Sequence, residues 1–289
     1  MCKKKRDLRT ELEKKAKPIY FTMSDGVQVR VLEFDLAENP HEYSIFVIPG
    51  FATVFQSWEI VLELLTKEFK VYYFESREKN SSIIPDKKIE RNITLHDMAH
   101  DIKEVIEQMK LDNQKYITLC SSTGGTIEIE ALSEKWLRPT GAVMVGPTTQ
   151  YDVKWIAAAF VTVVPVFVKA LYTPFFRWYI GTVYVNKKKY PKQYAKYIRA
   201  GEEANQRKIR KLLWQMTKYE CWDMVPKIDT PTLLIGATED KMHASELTMK
   251  VQELLQNSEY VDLGTNINAH SQPLIDVMKN FIVKLEKKK

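Results

Sequence analysis

Leu119-Cys120-Ser121-Ser122-Thr123-Gly124-Gly125 follows the β-type apolar run Lys115-Tyr116-Ile117-Thr118-Leu119 and leads into a helix-like run from Thr126 to Leu132. A serine at such a strand-to-helix turn, flanked by tiny residues, marks a strained backbone that projects a hydroxyl from the sheet edge. The turn needs small residues two before and two after the serine, because neighbouring chain passes too close for larger side chains. Ser122 has Cys120 and Gly124 at those places. Ser121 would have Leu119 and Thr123 there, which fits badly. Ser122 is therefore the candidate nucleophile.

Around this turn, short apolar strands alternate with amphipathic helices. Ile19–Thr22 and Val27–Val31 flank Ser24-Asp25-Gly26, the pattern of two strands around an Asp-Gly turn. Strand patterns follow at Tyr43–Ile48 and Val71–Phe74, with helical spacing over Trp58–Phe69 and Leu95–Leu111. Beyond the serine come the strand Ala142–Val145, the strand Thr232–Ile235, a helix near Leu247–Leu255, the strand Tyr260–Leu263 and a helix Pro273–Leu285. This alternation predicts an α/β fold, a mostly parallel sheet with helices on both faces. No internal repeat or low-complexity linker interrupts it.

Between Pro147 and Ile228 the alternation disappears, and an insert of that length should carry helices of its own. The expected organisation is a basic arm (1–17), a first core part (18–149), a helical cap (150–227) and a second core part (228–289). The uncharged run Trp155–Val168 contains Pro165 and falls short of the approximately 20 apolar residues a membrane-spanning helix needs. It reads as cap helix, one face roofing a pocket and another able to meet lipid. Trp155, Phe160, Phe175 and Trp178 are the candidate substrate-binding side chains.

Composition narrows the function classes. The chain has 289 residues, 45% hydrophobic and 28% charged, which is globular and argues against global disorder. The net charge of +6 comes from lysines mixed with acids nearly everywhere, and no nucleic-acid motif is present. The basic bias is read as solubility with weak attraction to anionic membranes, so peripheral contact through the cap or through Lys3-Lys4-Lys5-Arg6 stays open. Three cysteines at no metal or disulfide spacing, and a charged Met1–Lys17 without a signal-like apolar core, predict a reducing, cytoplasmic setting.

A serine nucleophile needs a base, and the base needs an orienting acid. Of five histidines, His270 lies just beyond the strand ending at Leu263 and before the last helix. The loop after the preceding strand, Gly236-Ala237-Thr238-Glu239-Asp240, holds two carboxylates. The order serine, acid, histidine suits a parallel sheet whose loops meet at one edge. His243 is too close to Asp240 along the chain to reach across easily. His96 and His100, four apart on a helix, have metal-binding spacing but no third ligand nearby, and they read as surface residues. His41 reads as an exposed loop residue, and Cys120 as a buried packing residue rather than a nucleophile.

These residues together resemble the α/β-hydrolase superfamily over nearly the whole chain. The resemblance implies Asp240 as the acid, with Glu239 as the alternative, because Asp240-Lys241-Met242 is similar to the family's acid motif while Gly236 stands three residues before Glu239. His270-Ser271-Gln272-Pro273 resembles the family's histidine before the terminal helix. Pro49-Gly50-Phe51 stands where the family has its oxyanion loop, which implies the amides of Phe51 and Thr123 as donors. Cys120 for the usual glycine and Pro49 for the usual histidine are departures. Glu75-Ser76-Arg77 is similar to a mainly structural Asp-x-Arg loop.

The resulting expectation is a serine hydrolase that cleaves a carboxylic ester with a hydrophobic part, without cofactor or metal. An acyltransferase or thioesterase on the same residues is the enzymatic alternative. A non-catalytic binder of hydrophobic ligand or membrane is the alternative from another class.

Overall fold

The computed structural model describes residues 9–151, 205–239 and 245–287, with isolated positions between 153 and 199. Its strands are β1 (Lys17–Thr22), β2 (Gln28–Phe34), β3 (Ser44–Ile48), β4 (Val71–Glu75), β5 (Tyr116–Ser121), β6 (Gly141–Val145), β7 (Thr232–Gly236) and β8 (Ser258–Asp262). They form one sheet in the order β1-β2-β4-β3-β5-β6-β7-β8. β1 and β2 pair antiparallel, as do β2 and β4, and every later pairing is parallel. The described helices are α1 (Glu11–Lys15), α2 (Glu59–Leu65), α3 (Lys87–Arg91), α4 (Leu95–Met109), α5 (Thr123–Ser133), α6 (Gln206–Met216), α7 (Ser245–Leu254) and α8 (Gln272–Lys287).

The central strands are covered on both faces, which is why β3, β4, β5, β6 and β7 are buried at every position. Successive side chains of β3 point to opposite layers. Phe46 and Ile48 join Met98, Ile102, Val105 and Ile127 on one face, while Ile45 and Val47 join Trp58, Leu62, Ile275 and Met278 on the other. Each such large side chain contributes about 1.5–3 kcal/mol when fully buried.

Local chemistry sets the element ends. At α4, the Thr94 side chain accepts from the Asp97 amide and the Asp97 carboxylate accepts from the Thr94 amide, a reciprocal cap. The helix stops at Lys110, which adopts a left-handed φ of 54°. The hairpin turn before β2 puts Gly26 at φ 82°, as the Asp-Gly signal requires. Arg77, in the loop after β4, binds Asp101 of α4 with two nitrogens and Asp25 of that hairpin with a third, so the buried guanidinium ties three segments together. This suits the structural role expected of the Glu75-Ser76-Arg77 loop.

Several boundaries differ from the sequence reading, among them β2, which runs on to Phe34, and the following two. α5 begins at Thr123 rather than Thr126, because Thr123-Gly124-Gly125 carries no apolar periodicity yet already has helical backbone. α2 ends at Leu65, short of Phe69, and the chain from Thr66 to Phe69 continues as turns. Most of the expected cap, residues 150–227, lies outside the described residues, although α6 falls in its last part.

Candidate active site

Ser122 sits between β5 and α5 with φ 51° and ψ −123°, a conformation L side chains rarely adopt. Holding a non-glycine residue there costs about 1–3 kcal/mol. The surroundings fix it in place: the Ser122 amide donates to the Val145 carbonyl at 3.2 Å, and its carbonyl accepts from Gly125 at 2.8 Å and Thr148 at 3.2 Å. A serine at a helix start normally turns its hydroxyl back onto the helix amides. Ser122 does not, and its Oγ lies 3.4 Å from the Thr148 Oγ1 instead.

The neighbouring glycines have a steric cause. A Cβ on Gly124 would stand 2.2 Å from the Ile48 carbonyl oxygen, and one on Gly125 would stand 2.6 Å from the Pro147 Cβ. α5 therefore starts in direct contact with the ends of β3 and β6. Cys120 fills the small position on the other side and pairs in register with Ile48 and Met144. It is fully buried, and burial pushes its thiol well up, which keeps it protonated and inert. Beside it, the buried carboxyl of Glu128 is raised to about 7 by desolvation, with Cys120 and Thr118 pulling in the opposite direction.

Opposite Ser122, Pro49 to Thr53 forms a tight turn in which the Thr53 amide donates to the Gly50 carbonyl at 3.3 Å and Ala52 has φ 52°. A Cβ on Gly50 would come within 3.3 Å of the Ser122 Cβ, so this turn abuts the serine. The amides of Phe51 and Thr123, the expected oxyanion donors, have no acceptor among the described residues. Thr123 also starts α5, where amide groups point out of the helix end.

His270 ends a single 3-10 turn, Asn268–His270, between β8 and α8. Its Nδ1 lies 3.0 Å from the Asn266 carbonyl, which can only accept, so Nδ1 carries the proton and Nε2 is the basic nitrogen. The ring meets the edge of Trp58 at 5.5 Å and 72°. Trp58 is buried and immediately precedes α2, the helix that follows the Gly50–Thr53 turn. The histidine loop is thus seated against the chain segment that carries the expected oxyanion loop.

The acid loop is cross-linked to the histidine loop through the backbone. Glu239 donates its amide to the Gly264 carbonyl at 2.8 Å, and Leu263 donates to Gly236 at 2.9 Å. The exposed Asp262 carboxylate accepts from the amides of both Gly264, at 2.9 Å, and Thr238, at 3.1 Å. Those amides hold its carboxyl below the usual range. Glu239 is described and exposed, whereas Asp240 and His243 lie outside the described residues. Phe160 and Phe175 also lie outside them, while Trp155 and Trp178 are 64% and 56% exposed.

The remaining histidines have local partners. His96 Nδ1 is 2.5 Å from Glu130, His100 Nδ1 is 3.0 Å from Glu104, and both rings pack against Trp136. His41 is exposed beside Tyr43 and Phe69. Among the described residues, no three His, Cys, Asp or Glu side chains gather to hold a metal ion. No described helix is long and apolar enough to cross a membrane.

Sequence reasoning did not find Trp58, Thr148 or Asp262. Each acts across segments distant in the chain, and only the position of Thr148 and Asp262 at the carboxyl ends of β6 and β8 pointed toward the site.

Comparison with known proteins fits this architecture. A hydrolase from Pseudomonas aeruginosa PA01 superposes with a TM-score of 0.71 at 15% identity, over 93% of this chain and 98% of its own. The enol-lactonase from Burkholderia xenovorans LB400 gives 0.70 at 15% identity, over 93% and 100%. An esterase from Exiguobacterium antarcticum gives 0.70 at 16% identity, again over 93% and 100%. No curated protein matches the sequence. The family described as serine aminopeptidase, S33, matches residues 41–261, and the chain belongs to this family of α/β-hydrolases.

Proposed function

We propose that this protein is a serine hydrolase that cleaves carboxylic esters with a hydrophobic acyl or alcohol part. The observation that carries the reading is Ser122 itself: a strained, over-determined backbone presents a hydroxyl that is not spent on capping α5. Named esterases and an enol-lactonase among the structural neighbours support ester chemistry as the reaction class.

In this reading the Ser122 Oγ attacks the ester carbonyl carbon while His270 Nε2 takes its proton. The carbonyl electron pair moves to oxygen, and the amides of Phe51 and Thr123 receive the developing charge. Collapse of this adduct expels the alcohol, which leaves with the proton from His270. Water, deprotonated by the same imidazole, then attacks the acyl-serine; the C–Oγ bond breaks, the imidazolium returns its proton to the Ser122 Oγ, and the acid is released. In this reading Asp240, or Glu239 in its place, stabilises the charged form of the imidazole, whose Nδ1 also has the Asn266 carbonyl as a partner. The bulky apolar residues of 155–180 favour a hydrophobic substrate over a sugar or charged peptide.

Labelling with a fluorophosphonate probe, with Ser122→Ala as control, tests the nucleophile. Labelling is expected in the wild type and absent from the variant; labelling that survives the substitution removes Ser122. Turnover of p-nitrophenyl esters of graded chain length, against acyl-CoA thioesters, tests the substrate class. Faster thioester turnover would replace the esterase reading with a thioesterase.

A further inference from the structure

We infer that Lys79 is a positioning residue of the oxyanion-binding turn, and that its charge as well as its hydrogen bonds contributes to turnover. The inference rests on the ester-hydrolase reading of the site. Lys79 lies in the loop after β4, and its ammonium donates to the Thr53 carbonyl at 2.6 Å, with the Gly50 carbonyl at 3.5 Å. One cation therefore contacts both ends of the turn that carries Phe51.

The geometry gives this contact a chemical consequence. The Gly50 carbonyl and the Phe51 amide belong to one peptide unit. A positive charge at the carbonyl end withdraws electron density from the unit and strengthens its N–H as a donor. The turn is strained at Ala52, φ 52°, and its own closing hydrogen bond is long at 3.3 Å, so it needs an external clamp to hold its shape. A donor displaced by even part of an ångström loses much of its value to a developing oxyanion.

Lys79 is itself held in place. Its side chain is 12% exposed, and its ammonium is 3.4 Å from the Glu78 carboxylate, which is 1% exposed and has no hydrogen-bond partner among the described residues. The Lys79 carbonyl accepts from Ser82 Oγ at 2.9 Å and from the ammonium of Lys208 at 2.7 Å. Lys208 lies on α6 and also donates to the Ser82 carbonyl at 3.1 Å and Ser82 Oγ at 2.6 Å. Every proton of that second ammonium is thus committed to the loop. Its role is to support the Lys79 backbone, while Lys79 supports the turn.

The test compares Lys79→Arg, Lys79→Gln and Lys79→Met with wild type, by ester kinetics, thermal unfolding and affinity for a trifluoromethyl ketone. That ketone forms a bond to the serine Oγ, sends its carbonyl pair to oxygen and delivers the serine proton to the imidazole, so its affinity reports on the oxyanion site. K79M is expected to lower kcat about 10- to 100-fold with KM changed less than about 3-fold. Ketone affinity should fall in parallel with kcat. K79R should recover most of the loss and K79Q only part, because glutamine keeps a donor and lacks the charge. Should K79M fail to fold, K79Q against K79R decides the same point. Equal kcat and ketone affinity across the folded variants overturns the role of Lys79 and leaves the hydrolase reading standing. A wild type that neither turns over esters nor binds the ketone overturns both.

Discussion

The two halves of the candidate site are built differently. Ser122 and the Gly50–Thr53 turn emerge from β5 and β3, strands buried at every position and packed on both faces. The acid and histidine loops emerge from β7 and from β8, the last strand of the sheet, whose residues are only partly covered. On the first side, contact geometry leaves no freedom at Gly124, where a Cβ would overlap the end of β3, and the Lys79 ammonium donates to the Thr53 carbonyl of the neighbouring turn. On the second side, backbone hydrogen bonds and one exposed carboxylate hold two loops to each other. The lesson is that Ser122 is fixed by packing, whereas the loops that carry Glu239 and His270 are held to each other by hydrogen bonds that can be adjusted singly.

Substitution on the packed side should therefore have the largest effect. Gly124→Ala puts a methyl 2.2 Å from the Ile48 carbonyl oxygen, so the helix must move away from β3. A loss of about 3 kcal/mol or more and abolished ester turnover are expected, read by denaturant unfolding and kinetics. An active variant of wild-type stability would refute the tight seating of α5.

The packed side also predicts a pH effect on stability. The ordinary carboxyl value of 4.5 for Glu128 is raised to about 7 in the fold. The unfolded chain thus releases this proton at lower pH than the folded one. Stability contributed by the neutral acid is complete below about pH 4.5 and declines until pH 7, by roughly 3 kcal/mol in all. Glu128→Gln should remove that part of the slope in unfolding curves taken between those limits. An unchanged slope would mean that the carboxyl is ionised in the core.

Asp262 probes the other half. Asp262→Ala leaves the Thr238 and Gly264 amides to water, and kcat should fall about 10-fold while stability changes by about 1 kcal/mol or less. Because the folded carboxyl sits below its ordinary value, its contribution is present at neutral pH and is lost only in acid. If kcat stayed at wild type, the two loops would not depend on this carboxylate.

A stabilising substitution sharpens the comparison from the side of strain. Ser122→Gly relaxes a φ of 51° and should raise the unfolding free energy by about 1 kcal/mol while activity vanishes. A thermal midpoint at or below wild type would show that the serine conformation carries no stored strain.

Much of this was legible in the chain because it depends on neighbours in sequence. The buried parallel strands appear as apolar runs such as Ile45–Ile48, and α4 announces itself through Thr94, Asp97 and a clear apolar face. The turn at Ser122 is readable because its small neighbours stand out along the chain, although the contact that requires Gly124 to be small comes from Ile48 at the end of β3. His270 could be picked out by its place between a strand and the last helix. Lys79 had no such signature, for nothing between Thr53 and Lys79 signals that one will hold the other.

The amino-acid sequence alone determined the α/β alternation, the strained serine turn and the order of serine, acid and histidine, because hydrophobic period and side-chain size act over a few residues. Tertiary structure alone decided that Trp58 meets His270, that Asp262 joins two loops, and that Lys79 clamps the turn at Gly50. Those contacts arise only once the sheet order sets strands distant in sequence side by side, and the pairing of β3 with both β4 and β5 is a property of the whole fold.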